Sequence, residues 1–190
     1  VWSFFRRHDR SMDKYLSYIL CDTKERMPLW IKPERKLSVK NLQDAMRDHY
    51  EGTPLDMSKG AGAGPFNSVY RMTPLIYKHN GKEYFHERPV ATQQTGFSFI
   101  AQMNENRPAE AGGILWFGLD DATCNLYVPI FSCITEIPKS MSEGNGSILD
   151  FSWTSAFWIN NWVAQMVYPR YSMLHPIVKE QQNKLEQEFF

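Results

Sequence analysis

Charge of one sign is what this sequence lacks most plainly. Its 190 residues carry 21 Lys and Arg against 21 Asp and Glu, which leaves no electrostatic footprint for a nucleic-acid or polyanion binder. Cysteine is scarce. Cys21, Cys124 and Cys133 have no CxxC spacing and any disulfide scheme leaves one over, so reduced, buried thiols are expected. No apolar run approaches the roughly 18 residues that a membrane-spanning helix needs, so no membrane partner is expected. Tag and signal-peptide patterns are missing too. A chain that opens at Val1 leaves both a cytoplasmic and an exported location open. Repeats, low-complexity tracts and an internal linker are also absent.

What remains is enough to fold. With 43% hydrophobic and 14% aromatic residues the chain can bury a sizeable core. Ser11 can cap a helix carrying Met12, Tyr15, Leu16 and Ile19, and Pro28 closes that region. A second helix begins at Ser38, with Val39, Leu42, Ala45, Met46 and Tyr50 as its stripe. Residues 51–65, EGTPLDMSKGAGAGP, are dense in Gly and Pro and predict a long covering loop. Residues 69–77 alternate enough for a strand, which Pro74 demotes toward an edge. Asn80-Gly81 signals a hairpin leading into a strand over 83–90. Residues 95–103 alternate more cleanly, with Phe97, Phe99, Ala101 and Met103 opposite Ser98, Ile100 and Gln102.

The most informative stretch is 112–138, GGILWFGLDDATCNLYVPIFSCITEIP. It predicts a hairpin of strands 112–118 and 125–137 about a turn at Asp120-Asp121-Ala122, with a break at Pro129. Apolar residues on both faces suggest strands covered twice, inside a layered fold. Glu143-Gly144-Asn145-Gly146 marks a turn. A Trp-rich helix over 154–168 stops at Pro169, and a polar helix is expected over 176–190. The order is helices, several antiparallel strands, then helices: an α+β fold.

Several clusters look chemical and have plainer explanations. Asp48, His49, Glu51 and Asp56 are metal-ligating types without a metal-binding spacing, so structural roles and no metal are expected. Gly60, Gly62 and Gly64 precede no Lys-Ser or Lys-Thr, which fails the phosphate loop and suggests a flexible turn or lid over a cleft. Adjacent carboxylates at Asp120 and Asp121 favour turn formation over catalysis. His8, His79, His86 and His175 sit in no nucleophile motif, and a thiolate at Cys124 or Cys133 would be costly in apolar strand sequence. Trp158 and Trp162, four apart with Trp153 before them, suggest core packing rather than a stacking platform.

Five blocks in order, VWSFFRRHDRSMDKYL, MRDHYEGTPLDMSKGAGAGPF, ATQQTGFSFIAQ, GGILWFGLDD and FSWTSAFWINNWVAQMVYPRYS, together resemble the later half of the cysteine dipeptidases of the N-terminal-nucleophile (Ntn) hydrolase superfamily. The resemblance implies part of an αββα sandwich, two antiparallel sheets covered by helices. Residues 1–190 are then a single domain or the C-terminal portion of a larger one. It implies hydrolysis of dipeptides by an N-terminal cysteine without a cofactor. Position 1 is Val, so that nucleophile is expected outside this chain, which alone should be inactive and should be partnered by the missing N-terminal part or form a homo-oligomer. Thr92, Gln93, Gln94 and Thr95 form a polar run at the entrance to a strand. Because the inner ends of core strands contribute to the site in that superfamily, Thr92, Gln94 and Thr95 are candidate substrate contacts. Arg88 is a candidate for a substrate carboxylate. An N-acyl amide hydrolase of the same superfamily and a non-catalytic structural partner are the alternatives.

Overall fold

The computed structural model describes residues 1–71 and 75–189. The chain is α+β, with helices at either end and two antiparallel sheets between them. It packs as two compact units, Val1–Ala45 and Met46–Phe190.

The first unit opens on a helix the patterning did not reveal, α1 (Trp2–His8). Its RRH end masks the buried contact that fixes it: the Trp2 indole N–H donates to the carbonyl of Met12 at 2.8 Å, with both residues buried. The helix expected from Ser11 is instead a 3-10 turn, Arg10–Tyr15, followed by the short α2 (Leu16–Ile19). Its cap is Asp9, whose carboxylate accepts from the N–H of Ser11 at 2.9 Å. Ser38 does cap α3 (Val39–Met46). Its hydroxyl accepts from the N–H of Asn41 at 3.2 Å while the Asn41 carboxamide accepts from the N–H of Ser38 at 3.0 Å, a reciprocal box. Tyr50 lies beyond the helix at φ 64°, so the stripe ends one turn early.

The second unit holds both sheets. β1 (Ile76–His79) and β2 (Lys82–Phe85) form the hairpin signalled by Asn80-Gly81. Both turn residues have positive φ, 50° and 75°, as a two-residue primed turn requires. β1 takes in only the end of the expected 69–77 strand, Val69 and Tyr70 are buried outside any strand, and 72–74 lie outside the described residues. Gly81→Ala puts a Cβ into left-handed backbone and is expected to open the hairpin by about 1 kcal/mol, read from amide hydrogen exchange at Tyr77 and Tyr84.

β3 (Phe97–Met103), β4 (Gly113–Leu119) and β5 (Val128–Phe131) form a sheet in the order β3-β4-β5. Pro129 does not break β5, contrary to expectation. Ser132 N–H bonds the carbonyl of Gly113 and Trp116 faces Pro129, which makes this a non-hydrogen-bonded pair. The N–H that proline lacks would point away from β4.

The alternation of β3 is correct, but its aromatic face is the open one. Phe97, Phe99 and Met103 are 59%, 49% and 83% exposed, whereas Ile100 and Trp116 on the opposite face are buried. The polar residues on that covered face are satisfied there: Ser98 bonds the Tyr127 hydroxyl at 2.7 Å, and Gln102 accepts from the Trp116 indole at 2.9 Å. Among the described residues the aromatic face of β3 is therefore left open, while Leu115, Phe117 and Leu119 beside it on β4 are half-buried.

α4 (Ala156–Val167) runs into a 3-10 turn at Pro169, and α5 (Tyr171–Gln187) follows directly, starting five residues before the expected point. Pro176 is tolerated inside α5, where its ring removes a single backbone donor. The core of this unit gathers Met57, Val69, Tyr70 and Cys124 under Ala164, Val167 and Tyr171. The tryptophans are not part of it. Trp153 and Trp162 are exposed and meet edge to face at 5.4 Å, while Trp158 N–H reaches the carbonyls of Ser147 and Asp150. All three thiols are free, yet only Cys124 is buried; Cys21 and Cys133 are exposed.

Candidate functional site

The glycine-rich loop builds the wall of a cavity. Asp56 pins the loop's start, one carboxylate oxygen accepting from Ser58 N–H and hydroxyl and the other from Gly52 N–H. Gly60 and Gly64 at φ 77° and 61° then wind the backbone into a 3-10 turn over Ala61–Phe66, conformations that a side chain would strain. Behind the turn lies a mostly apolar cavity of about 890 Å³, completed by Tyr70, Arg71, Gln93, Gln165, Tyr168 and Pro169. The loop is thus a wall, held by Arg71: its guanidinium donates to the carbonyls of Met57 at 2.9 Å and Ser68 at 3.4 Å and to Glu87 at 3.0 Å.

A polar network lies beyond the cavity. Tyr70 donates to Asp121 at 2.5 Å, and Asp121 accepts from Thr123 N–H. The Thr123 hydroxyl meets His49 Nε2 at 3.1 Å, and His49 Nδ1 meets Glu51 at 3.1 Å. The row of hydroxyl, imidazole and carboxylate has the order of an activated nucleophile. Thr123 is 2% exposed, however, and the row ties the 121–127 loop to His49 and Glu51. Burial pushes Asp121 up, against the Tyr70 hydrogen bond. Burial also pushes Glu51 up, but the His49 hydrogen bonds and charge outweigh it and bring the carboxyl down to about 2. Burial, aided by Asp121, pushes the Cys124 thiol up to about 12, and its near polar neighbour is Tyr70 at 4.0 Å, not a histidine. A thiolate there is suppressed.

Asp120 and Asp121 do make a turn, with Asp120 at φ 65°. Both are buried, which the sequence did not suggest. One Asp120 oxygen accepts from Asn161 at 3.4 Å and the other has no partner among the described residues. Asp48 accepts from Tyr50 N–H in a local turn.

Of the expected substrate contacts, Thr92 and Thr95 close a turn at the entrance to β3. Thr95 N–H bonds the Thr92 carbonyl, and their hydroxyls stand 3.5 Å apart. Gln94 beside them is exposed, and Arg88 is exposed with its carbonyl accepting from the Tyr50 hydroxyl at 2.7 Å. None of these four lines the cavity. Gln93 does, bonding the Arg71 carbonyl at 3.1 Å. Sequence reasoning missed Arg71, Gln165 and the paired rings of Tyr70 and Tyr168, 4.3 Å apart; the glycine run and Gln93 marked this region in advance.

Comparison with known proteins adds a family to this geometry. The family described as Peptidase family C69 matches residues 1–184. Among similar proteins, Probable dipeptidase A of Streptococcus pyogenes serotype M3 (strain SSI-1) is 26% identical over 163 residues, covering 85% of this chain and 31% of that protein. Probable dipeptidase B of Lactococcus lactis subsp. lactis (strain IL1403) is 22% identical, covering 72% of this chain and 24% of that protein. Dipeptidase A of Lactobacillus helveticus is 24% identical, covering 73% and 25%. The chain thus spans about a third or less of the curated relatives it matches.

Proposed function

Since the chain belongs to Peptidase family C69 across residues 1–184, we propose that it is the C-terminal part of a dipeptidase whose N-terminal cysteine nucleophile lies outside it. That family match, with relatives named as dipeptidases, carries the reading. The thiolate would attack the peptide carbonyl, the carbon–nitrogen bond would break with a proton passing to the leaving amine, and water would hydrolyse the thioester.

This chain's contribution is structural support and substrate contact. Two features favour it. The open face of β3, with Phe97, Phe99 and Met103 exposed, is the kind of surface that a further layer of protein covers. The Thr92–Thr95 turn presents hydroxyls and the Gln94 carboxamide at the entrance to that strand, with Arg88 available for a carboxylate. The partners in this reading are the dipeptide and the rest of the enzyme. A non-catalytic partner completing another chain's sheet is favoured by the same open face.

Intact mass and N-terminal sequencing, followed by a dipeptide hydrolysis assay with and without a thiol-blocking reagent, separate the two. Thiol-sensitive hydrolysis by a species that begins with Cys and contains this sequence is expected. Full-length enzyme without hydrolysis would leave the partner reading. Within the assembled enzyme, Thr95→Ala is expected to lower kcat/KM about fivefold, the loss of one hydrogen bond of about 1 kcal/mol, with an unchanged thermal midpoint. A matching fall in midpoint would make Thr95 a structural residue.

A further inference from the structure

We propose that the cavity behind the Ala61–Phe66 turn is the side-chain pocket of the dipeptide site, and that it takes a bulky neutral side chain, an aromatic one above all. The proposal rests on the dipeptidase reading and adds to it which dipeptides are preferred. Continuity with the candidate substrate contacts is the first support. Gln93 belongs to the Thr92–Thr95 turn, yet it lines the cavity and its carboxamide donates to the Arg71 carbonyl at 3.1 Å. The turn that offers the Thr92 and Thr95 hydroxyls thus also supplies part of the cavity wall. A dipeptide held at those hydroxyls has an enclosed space beside it.

The second support is what that space offers. Gly64, Pro65, Gln165 and Pro169 of its lining are exposed, whereas Ala63 and Tyr70 are buried, which makes the former its mouth and the latter its floor. At about 890 Å³ it lies toward the upper end of sites that enclose small molecules, so size excludes no side chain. Tyr70 and Tyr168 both line it, inclined at 64° with ring centres 4.3 Å apart; a third ring would extend an edge-to-face cluster. Among the described residues of the lining, Arg71 alone is charged. It is 5% exposed, and its guanidinium is committed to the Met57 and Ser68 carbonyls and to Glu87. The Tyr70 hydroxyl is likewise committed to Asp121. An ionised side chain entering here would give up its hydration and gain no counter-charge, which is costly. An apolar one gains by leaving water.

The test is hydrolysis by the full-length enzyme of Ala-Ala, Phe-Phe, Lys-Lys and Glu-Glu. The kcat/KM for Phe-Phe is expected to exceed that for Ala-Ala about thirtyfold, with Lys-Lys and Glu-Glu no better than Ala-Ala. Ala61→Trp, at an exposed position of the lining, puts a ring into the pocket and is expected to cut the Phe-Phe to Ala-Ala ratio about tenfold. Should that variant fold poorly, Gln165→Trp on α4 fills the pocket from its other wall and should cut the same ratio. Ala-Ala cleaved as fast as Phe-Phe, Lys-Lys or Glu-Glu cleaved as fast as Phe-Phe, or a ratio unchanged in both variants would overturn the pocket and leave the dipeptidase reading standing. No hydrolysis of any of the four would overturn both.

Discussion

Glu186→Ala is expected to destabilise the protein by about 3–5 kcal/mol, because it leaves a buried cation without its counter-charge. Arg47 and Glu186 are 7% and 2% exposed. They meet through two parallel hydrogen bonds of 3.0 and 2.5 Å. The rest of each group is also used: Arg47 donates to the carbonyls of Ala122 and Asn125, and Glu186 accepts from Tyr127 N–H at 3.1 Å. Arg47 also lies over the Tyr127 ring, 5.0 Å from its centre. Removing the carboxylate therefore orphans a guanidinium and a backbone donor together. A urea titration checks this, with the midpoint falling while the slope is retained. The double replacement Arg47→Met with Glu186→Leu should recover part of the loss, since no charge remains buried. Full recovery is not expected, because the Ala122 and Asn125 carbonyls lose their donor. A loss below about 1 kcal/mol in Glu186→Ala would show that water reaches the pair, as at a surface ion pair.

Acidification should cost the second unit almost as much. His175 lies flat on Tyr171, with ring centres 4.5 Å apart, and its pKa is lowered from the ordinary 6.5 to about 4. Burial is the main cause. Lys179, His49 and Arg47 add to it, and Glu51 opposes them. The unfolded chain thus takes up a proton at this residue that the folded chain refuses. Stability is full above about pH 6.5 and falls through the window down to about pH 4, by up to about 3 kcal/mol in total. Glu51, held down to about 2, adds a loss at still lower pH. Asp120 and Asp121, whose carboxyls burial raises, work the other way as they protonate. Urea midpoints at neutral and mildly acid pH, for the protein and for His175→Gln, separate these groups. The variant should show a clearly shallower decline between pH 6.5 and about pH 4, and an unchanged slope would assign the acid sensitivity elsewhere.

How far the residues alone foretold this is best seen in β3 and in the 121–127 loop. The period of two in β3 was legible, and so was the Asn80-Gly81 hairpin, because both are local. Which face of β3 is covered was not. Ser98 and Gln102 look like solvent-facing residues until Tyr127 and the Trp116 indole, distant in sequence, supply their partners. Pro129 misled for a similar reason, since its cost depends on whether its pair is hydrogen-bonded, which register decides. The Trp158 and Trp162 spacing suggested a core, yet helical spacing identifies a face without saying what lies against it. In the candidate site the glycines were visible as a turn. The Arg71 Nε–H, which has no partner among the described residues, was not, because an unsatisfied donor exists only once every neighbour is in place.

The clasp of Arg47 on Glu186 joins residues 139 positions apart, with the 121–127 loop gripped between them and Gln182 adding bonds to the carbonyls of Thr123 and Asn125. During synthesis the N-terminal partner leaves the ribosome long before its counterpart exists. For that interval the guanidinium has only water to satisfy it, and the loop has no anchor from α5. Closure of this unit must then wait for the last turns of the helix to be made, a late, long-range step of the kind that slows folding and lengthens exposure of unfinished sheet to other chains. A pause in translation shortly before residue 186 would therefore prolong the most aggregation-prone stage of this protein's birth.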